Sequence, residues 1–186
     1  MKFNVGFRTD VGRKRKQNQD SGLAVPEIGF FIVADGMGGH RGGETASALT
    51  VETASKIAAE ELKKNTLTAQ AILEKALLAA NEAVFEKAKA DPHLQGMGTT
   101  ATALLFHKTT LWIGHVGDSR CYFYRDGCLW QLTRDHSLVQ EKLRAGLISR
   151  DQLKTDRMRN VITRSVGYEQ KVSADFYEIE LKPKDT

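Results

Sequence analysis

The sequence predicts an α+β fold in which helices lie on two packed antiparallel sheets. Three observations lead to this prediction: two long segments with helical periodicity between residues 44 and 90, strand-like segments before and after them, and no regular alternation of strand and helix. The chain has 186 residues, of which 41% are hydrophobic, so a single domain with a full core is expected.

The N-terminal part of the chain is predicted to form strands. Residues 3–9 and 22–34 have the apolar character of strands, and the second segment is most apolar near its end. It runs into a stretch between Asp35 and Gly43 that contains five glycines. Such a stretch is predicted to be irregular, because glycine weakens both helices and strands.

An apolar stripe at spacings of three and four predicts each of two helices. The first helix is expected over about residues 44–64. The second is expected to begin after Thr68, a favourable N-cap, and to end near residue 90, ahead of Asp91-Pro92. The link between them, residues 65–67, is short enough to make them an antiparallel pair.

After residue 100 the apolar period changes from near 3.6 to 2, which predicts an antiparallel meander. The four predicted strands are residues 100–106, 111–116, 120–125 and 128–132. A short helix is then expected over 137–145, closed by Gly146, and two further strands near 161–166 and 172–181.

Composition and charge limit the possible partners. The net charge is +4, with basic excess near both residues 1–20 and residues 134–164, which suits an anionic partner such as a phosphorylated protein or a nucleic acid. The basic run at residues 13–16 has no interleaved aromatic residues, so no nucleic-acid partner is expected. No apolar run of 18 residues and no secretory signal occur, so no membrane partner and a cytoplasmic location are expected.

The two cysteines, Cys121 and Cys128, flank a predicted Asp-Gly hairpin turn. In a two-residue hairpin Arg125 faces Cys128, and Cys121 faces Leu132. The cysteines then start roughly 13 Å apart along the ladder, at about 3.4 Å per residue, which is too far for a disulfide. Two reduced thiols are therefore expected, in agreement with a cytoplasmic location.

Acidic residues recur where predicted strands end, at Asp20, Asp35, Asp118 and Asp135. A single acid in such a place commonly caps its own turn, but four favour a site for hard divalent cations, which prefer carboxylate and carbonyl oxygens. Asp35 and the carbonyl of Gly36 form a suitable pair of ligands, because glycine allows the backbone to approach an ion closely.

The glycine-rich stretch has a second interpretation as a phosphate-binding loop, since it follows a strand and precedes a helix. It matches neither of the common nucleotide-binding glycine motifs. An acid at its head also repels phosphate unless a metal lies between them, so the metal interpretation is favoured.

Six motifs in order resemble those of the metal-dependent serine/threonine protein phosphatases, the PPM family (type 2C), in its bacterial form. The first combines Thr9-Asp10-Val11-Gly12 and Arg15 with Asn18-Gln19-Asp20, and the second is Val33-Ala34-Asp35-Gly36-Met37-Gly38-Gly39-His40 with Gly43-Glu44. The others are Gly98-Thr99-Thr100-Ala101, Gly117-Asp118-Ser119-Arg120, Leu132-Thr133-Arg134-Asp135-His136-Ser137 and Asn160-Val161-Ile162-Thr163-Arg164-Ser165-Val166-Gly167. The resemblance covers the whole chain.

The resemblance implies a four-layer α/β/β/α sandwich with two Mn²⁺ or Mg²⁺ ions in a cleft between the sheets. Carried over by position, Asp35 would bridge both ions, Gly36 would offer its carbonyl, and Asp20 would hold metal-bound water. Arg15 would bind the substrate phosphate, and Asp118 would serve a third ion, as in bacterial-type members. The implied reaction is in-line attack of metal-bound hydroxide on phosphoserine or phosphothreonine.

Further expectations follow from the same resemblance. Residues 1–186 would form one catalytic domain, with residues 137–160 as a flap beside the cleft where substrates are selected. The partners would be phosphorylated proteins and, by implication, a serine/threonine kinase. His40 is a candidate to protonate the leaving oxygen, and Gln19 stands where many members carry Glu.

The chain ends before the last two metal motifs of the family, a Ser-Asp-Gly and an Asp-Asn, so the final strands of the sandwich are expected to be missing. The expectation is either a truncated sequence or a form that cannot hold the usual metal pair. Two functions therefore remain open at this point, a metal-dependent phosphatase and a non-catalytic phosphoprotein-binding module. A small nucleic-acid binder that uses the basic segments is a third, less favoured alternative.

Overall fold

The computed structural model describes residues 3–183 and 185–186, and for residues 39–41 it describes the backbone alone. The described strands are β1 (Asp20–Val25), β2 (Phe30–Met37), β3 (Gly98–Thr99), β4 (Ala101–His107), β5 (Thr110–Val116), β6 (Tyr122–Arg125), β7 (Cys128–Gln131) and β8 (Asp175–Glu180). The α-helices are α1 (Gly39–Lys64), α2 (Ala69–Ala90) and α3 (Leu138–Arg144), with short 3₁₀ turns at Pro26–Ile28, Pro92–Leu94 and Arg150–Lys154.

The strands form two antiparallel sheets. The larger sheet has the order β1-β2-β4-β5-β8, with β3 paired to the end of β2, and the smaller sheet is the hairpin of β6 and β7. In β2 the burial alternates, so Phe30, Ile32 and Ala34 point to the core, while Val33 and Asp35 lie on the opposite, more open face.

The antiparallel helices α1 and α2 cover the core face of the larger sheet. Asn65 ends α1 in the left-handed conformation, at a φ of 52°, and the Thr68 side chain accepts a hydrogen bond from the Ala71 amide at the start of α2. The buried apolar residues that join the helix pair to the sheet include Ala54, Ala58, Leu73, Leu77, Ala80, Leu105 and Val116.

One buried charge links the two helices. Glu61 in α1 is 3% exposed and accepts hydrogen bonds from Lys64 at 2.7 Å and from Lys75 in α2 at 2.9 Å. These hydrogen bonds lower the pKa of the Glu61 carboxyl below its ordinary value, so it stays ionised and the pairing holds the helices in register.

The α+β class, the helix pair and the antiparallel sheets agree with the prediction from the sequence, but four local predictions are wrong. Residues 3–9 form no strand. The Phe3 ring instead packs edge-on against Phe31 and Phe106, on the outer face of the sheet. Near 161–166 only isolated bridges occur, between Thr99 and Val166 and between Ser137 and Ile162.

The predicted four-strand meander is also divided between the two sheets. β5 pairs with β4 and β8, whereas β6 pairs with β7. The alternating pattern predicts that each segment is a strand, but strand partners are chosen by contacts between segments far apart in the chain.

The glycine-rich stretch is regular, contrary to the prediction. β2 continues through Met37, and α1 begins at Gly39. A side chain at Gly42 would contact Met97, and one at Gly43 would lie 2.9 Å from both the Gly36 carbonyl oxygen and the Gln19 side chain. These glycines therefore permit close packing of a helix against a strand rather than a loop.

The cysteine prediction agrees with the structure. Arg125 pairs with Cys128, the amide of Leu132 donates to the carbonyl of Cys121 at 2.9 Å, and both thiols are free. Within the part of the chain that the structure describes, no helix is long and apolar enough to cross a membrane.

Candidate active site

Two aspartates face each other at the end of the first hairpin. Asp20, the first residue of β1, is the register partner of Asp35 in β2, so both side chains project from the same face of the sheet. This is the face away from the helix pair. Two carboxylates placed directly opposite each other repel unless a proton or a cation lies between them.

The electrostatics of this pair are strongly perturbed. Partial withdrawal from water, followed by the charge and the hydrogen bond of Asp20, raises the pKa of Asp35 from 3.8 to about 6. The guanidinium of Arg15 acts in the opposite direction, and the charge of Asp118 adds a smaller increase. A divalent cation would relieve the repulsion that raises this pKa.

The backbone around Gly36 is packed without spare room. The Gly36 amide donates to the carbonyl of Gln19 at 3.0 Å, and the hydroxyl of Ser47 in α1 donates to the same carbonyl at 2.7 Å. A β-carbon at Gly36 would overlap the carbonyl of Gly43 and lie 2.7 Å from the Gln19 oxygen. Only glycine therefore fits where the strand meets the loop and the helix.

The loop that carries Arg15 joins the N-terminal segment to β1. Asn18 holds it at both ends, because its side-chain amide donates to Thr9 Oγ1 at 2.6 Å and its Oδ1 accepts from the Asp20 amide at 3.1 Å. Two cavities border this loop. One of about 250 Å³ is lined by residues 10–15 and 17–20, and one of about 340 Å³ is lined in part by Asp20, Asp35 and Ser119.

The turn after β5 brings Asp118 towards the same region. The Ser119 hydroxyl lies 2.7 Å from Thr100 Oγ1, and Thr100 Oγ1 accepts the amide of Asp35 at 2.9 Å. The amide of Thr100 donates in return to the carbonyl of Asp35 at 3.0 Å. Thr100 therefore ties the turn that carries Asp118 to the backbone of Asp35, a role that the sequence did not predict although Thr100 lies within one of the six motifs.

Asp118 is partly buried. This burial, together with the charge of Asp135, raises the pKa of Asp118 above its ordinary value. The carboxylate is therefore poorly compensated by the protein itself, which is the condition under which binding of a cation is most favourable.

Asp135 does not join this acid set as a ligand, contrary to the grouping expected from the sequence. Its carboxylate is 7% exposed and accepts hydrogen bonds from Arg120 Nε at 3.0 Å and from Arg120 Nη2 at 2.7 Å. Gln131 Nε2 donates to the same carboxylate at 3.1 Å. The charge of Asp135 is neutralised within the protein, because a buried acid needs such partners.

The remaining donors suit a hard divalent cation in kind. Asp20, Asp35 and the Gly36 carbonyl offer only oxygen, which is what Mn²⁺ and Mg²⁺ prefer. Within the described residues no group of three or more metal-ligating side chains converges on one point, so carbonyl oxygens and waters would complete the shell. The side chain of His40, the candidate proton donor, lies outside the described part of the chain.

An antiparallel sheet that presents an acid pair beside an arginine-bearing loop is suited to a metal-dependent phosphate hydrolase, because the acids can hold cations and the arginine can bind phosphate. A family model described as Protein phosphatase 2C matches residues 12–160. The chain belongs to this family, the metal-dependent serine/threonine protein phosphatases.

Curated relatives agree with this assignment. The chain is 39% identical over 192 residues to "Serine/threonine phosphatase stp" of Listeria welshimeri, an alignment that covers 99% of this chain and 75% of that protein. It is 38% identical over 163 residues to "Serine/threonine protein phosphatase PstP" of Mycobacterium tuberculosis, covering 87% of this chain and 31% of that protein.

Solved structures have the same fold. The serine/threonine phosphatase PstP/Ppp of Mycobacterium tuberculosis superimposes with a TM-score of 0.86 at 35% identity, covering 96% of this chain and 73% of that one. The catalytic domain of PstP in complex with two manganese ions superimposes with a TM-score of 0.80 at 34% identity, covering 96% and 72%.

Proposed function

We propose that residues 1–186 remove phosphate from phosphoserine and phosphothreonine in proteins, with Asp20, Asp35 and the Gly36 carbonyl holding two Mn²⁺ or Mg²⁺ ions. The observation that carries the proposal is the direct pairing of Asp20 with Asp35. Burial and this pairing together raise the pKa of Asp35 to about 6. When bound, the two ions supply an activated water and positive charge for the phosphate oxygens.

The chain's own residues do the binding and the positioning. Arg15 lies near enough to Asp35 to lower its pKa, and its planar guanidinium can bind two phosphate oxygens at once. Gly36, Gln19 and Ser47 hold the end of β2 in place, so the two carboxylates keep their spacing. Fixed charges cost no reorganisation when negative charge shifts on the phosphate.

Asp118 is proposed to hold a third cation. It is partly buried, its pKa is raised, and it contributes to the electrostatics of Asp35. Its turn is tied to the backbone of Asp35 through Ser119 and Thr100, so its carboxylate is held at one side of the acid pair rather than mobile.

Residues 137–160 are proposed to act as a flap that selects substrates. The segment contains α3 and a 3₁₀ turn, and Lys142 in α3 forms an ion pair of 3.0 Å with Asp156, two residues after the 3₁₀ turn. The exposed side chains of Leu147 and Met158 offer apolar surface to a peptide. Residues 1–186 would then be one catalytic unit.

The partners and the compartment belong to the same proposal. The substrates would be phosphoproteins, and a serine/threonine kinase would produce them. Free thiols at Cys121 and Cys128 are compatible with the reducing conditions of the cytoplasm.

Hydrolysis of p-nitrophenyl phosphate and of a phosphothreonine peptide, measured with Mn²⁺, with Mg²⁺ and with EDTA, tests the proposal. The expected result is release of phosphate that EDTA abolishes and added Mn²⁺ restores. Phosphopeptide binding without turnover at saturating Mn²⁺ would contradict it and favour a non-catalytic binding module. Binding that is lost with rising salt and unaffected by phosphate would favour a nucleic-acid partner.

A further inference from the structure

A buried histidine lies directly behind the turn that carries Asp118. His136 is 2% exposed and exchanges two hydrogen bonds with Gly117. Its amide donates to the Gly117 carbonyl at 2.8 Å, and the Gly117 amide donates to its Nδ1 at 3.1 Å. The backbone and the imidazole of His136 therefore both form a hydrogen bond with Gly117.

The hydrogen bonds determine which nitrogen carries the proton. Since Nδ1 accepts the Gly117 amide, the neutral ring has its proton on Nε2, which lies 3.2 Å from Asp175 Oδ2. Arg164 Nη1 donates to the other oxygen of Asp175 at 2.8 Å. Burial lowers the pKa of His136, which favours the neutral ring.

Neighbouring groups hold both the backbone and the ring of His136. The His136 carbonyl accepts the Thr163 amide at 2.8 Å, and the ring lies 4.9 Å, centroid to centroid, from that of His115. His115 is fully buried, with Nδ1 2.9 Å from the Thr102 hydroxyl and Nε2 3.2 Å from the Arg134 carbonyl.

Gly117 transmits the position of His136 to Asp118. Its φ of +104° lies in the region that favours glycine, and a β-carbon would come within 2.6 Å of Thr100 Cγ2. The turn is thus held at Gly117 by His136 and at Ser119 by Thr100. Asp118 lies between these two anchors.

We propose that His136, oriented by Asp175 and Arg164, is a positioning residue that fixes the Gly117–Ser119 turn and so sets the place of the Asp118 carboxylate. The proposal rests on the proposed role of Asp118 in holding a cation. His136 does not touch substrate, and its side chain acts through the Gly117 amide. Its loss affects the ion at Asp118 more than the acid pair of Asp20 and Asp35.

A matched control for this test lies elsewhere in the core. Asn81 in α2 is 2% exposed, and its Oδ1 accepts the Gly167 amide at 2.7 Å. His136→Leu and Asn81→Leu each leave one buried glycine amide without its side-chain acceptor, so both are expected to lower the melting temperature. Only His136→Leu disturbs the turn beside Asp118.

The first measurement is Mn²⁺ binding by isothermal titration calorimetry, together with the Mn²⁺ dependence of phosphopeptide turnover. His136→Leu is expected to raise the half-saturating Mn²⁺ concentration about tenfold or more, the effect typical of a lost outer-shell partner of a metal ligand. His136→Asn, whose Oδ1 can take the place of Nδ1, is expected to recover most of the loss. Asn81→Leu is expected to leave Mn²⁺ dependence unchanged.

The second measurement is a double-mutant cycle with Asp118→Asn. If His136 acts through Asp118, His136→Leu adds no further change in Mn²⁺ dependence in the Asp118→Asn background. Equal effects of His136→Leu in both backgrounds, or equal effects of His136→Leu and Asn81→Leu, would overturn the proposal.

A third measurement needs no metal, and it separates this proposal from the proposed function. Amide hydrogen exchange at residues 117–119 in EDTA is expected to accelerate in His136→Leu and to stay unchanged in Asn81→Leu. Failure of the wild-type chain to bind Mn²⁺ would contradict the function while the exchange result still supports the positioning of the turn. Unchanged exchange in His136→Leu would overturn the positioning role itself.

Discussion

Asp20 lies directly opposite Asp35 in the register of β1 and β2, and both carboxylates project from the face of the sheet that the helices leave open. A cross-strand pair of like charges is unfavourable for folding by itself. Repulsion between the two carboxylates therefore lowers the stability of the folded chain, and a bound cation would offset this repulsion.

Asp35→Asn is expected to lower Mn²⁺-dependent turnover by about 100-fold or more, because it removes a metal ligand rather than a partner of one. The metal-free variant should be at least as stable as the wild type, since the like-charge repulsion with Asp20 is gone. Turnover of p-nitrophenyl phosphate in saturating Mn²⁺ and melting temperature in EDTA are the two measurements. Near-normal turnover would contradict the assignment of Asp35.

The stability of the metal-free chain is expected to fall, relative to Asp35→Asn, as the pH rises from about 4 to about 7. The pKa of Asp35 is about 6 in the folded chain and 3.8 as the ordinary value, so between these values the folded state binds more protons than the unfolded state. The free energy of unfolding then decreases with increasing pH. The contribution of Asp35 to the stability of the folded chain is fully present below a pH of 3.8, and it is lost as the pH rises through about 6.

Urea unfolding of both proteins in EDTA across this range measures the difference, and the comparison cancels the titrating groups that do not interact with Asp35. A wild-type chain that gains stability relative to Asp35→Asn as the pH rises would show that the pKa of Asp35 is not raised. Added Mn²⁺ should reduce the pH dependence, since the ion displaces the proton.

Arg15→Ala is expected to lower kcat/KM for phosphopeptides by about 30-fold, which corresponds to about 2 kcal/mol for the loss of a charge-assisted contact with phosphate. Mn²⁺ affinity should change little, because Arg15 is assigned to the phosphate and not to the metal. Steady-state kinetics and Mn²⁺ titration separate the two effects. Lys14→Ala and Lys16→Ala are the matched controls, and equal small effects of all three would show that Arg15 has no particular role.

Arg120→Ala is expected to destabilise the fold by about 2 kcal/mol, because it leaves the buried Asp135 carboxylate with Gln131 as its remaining side-chain partner. This loss of stability is smaller than that from breaking a fully buried ion pair, because the Arg120 side chain is 45% exposed. In an Asp135→Asn background the same change should cost less than half as much. Urea unfolding of the four proteins provides the cycle, and equal costs in both backgrounds would contradict the pairing.

Gly36→Ala is expected to destabilise the chain by about 2 kcal/mol, because the added β-carbon would overlap the Gly43 carbonyl and press on the Gln19 carbonyl. Gly6→Ala is the control, since its β-carbon would meet no atom within 4 Å and its φ is not in the left-handed region. Melting temperatures and circular dichroism of both variants test this. Equal stability of the two would show that the backbone around Gly36 has room to relax.

Most of the local structure and the class of chemistry can be predicted from the sequence. The stripes of α1 and α2, the cap at Thr68 and the Asp-Gly turn between β6 and β7 follow from short-range periodicity and turn stereochemistry, which act within a few residues. The acids at Asp20, Asp35 and Asp118 were also visible as residues that end or begin strands. The order of the motifs was sufficient to indicate the family.

Which of these residues lie together follows from the tertiary structure. It placed Asp20 against Asp35 through strand register, assigned Asp135 to Arg120, and used the glycines after Asp35 for close packing of helix on strand. It also divided the predicted meander between two sheets. The physical reason is that a side chain's charge, burial and partners are set by residues distant in the chain, whereas periodicity reports only which face of an element is apolar.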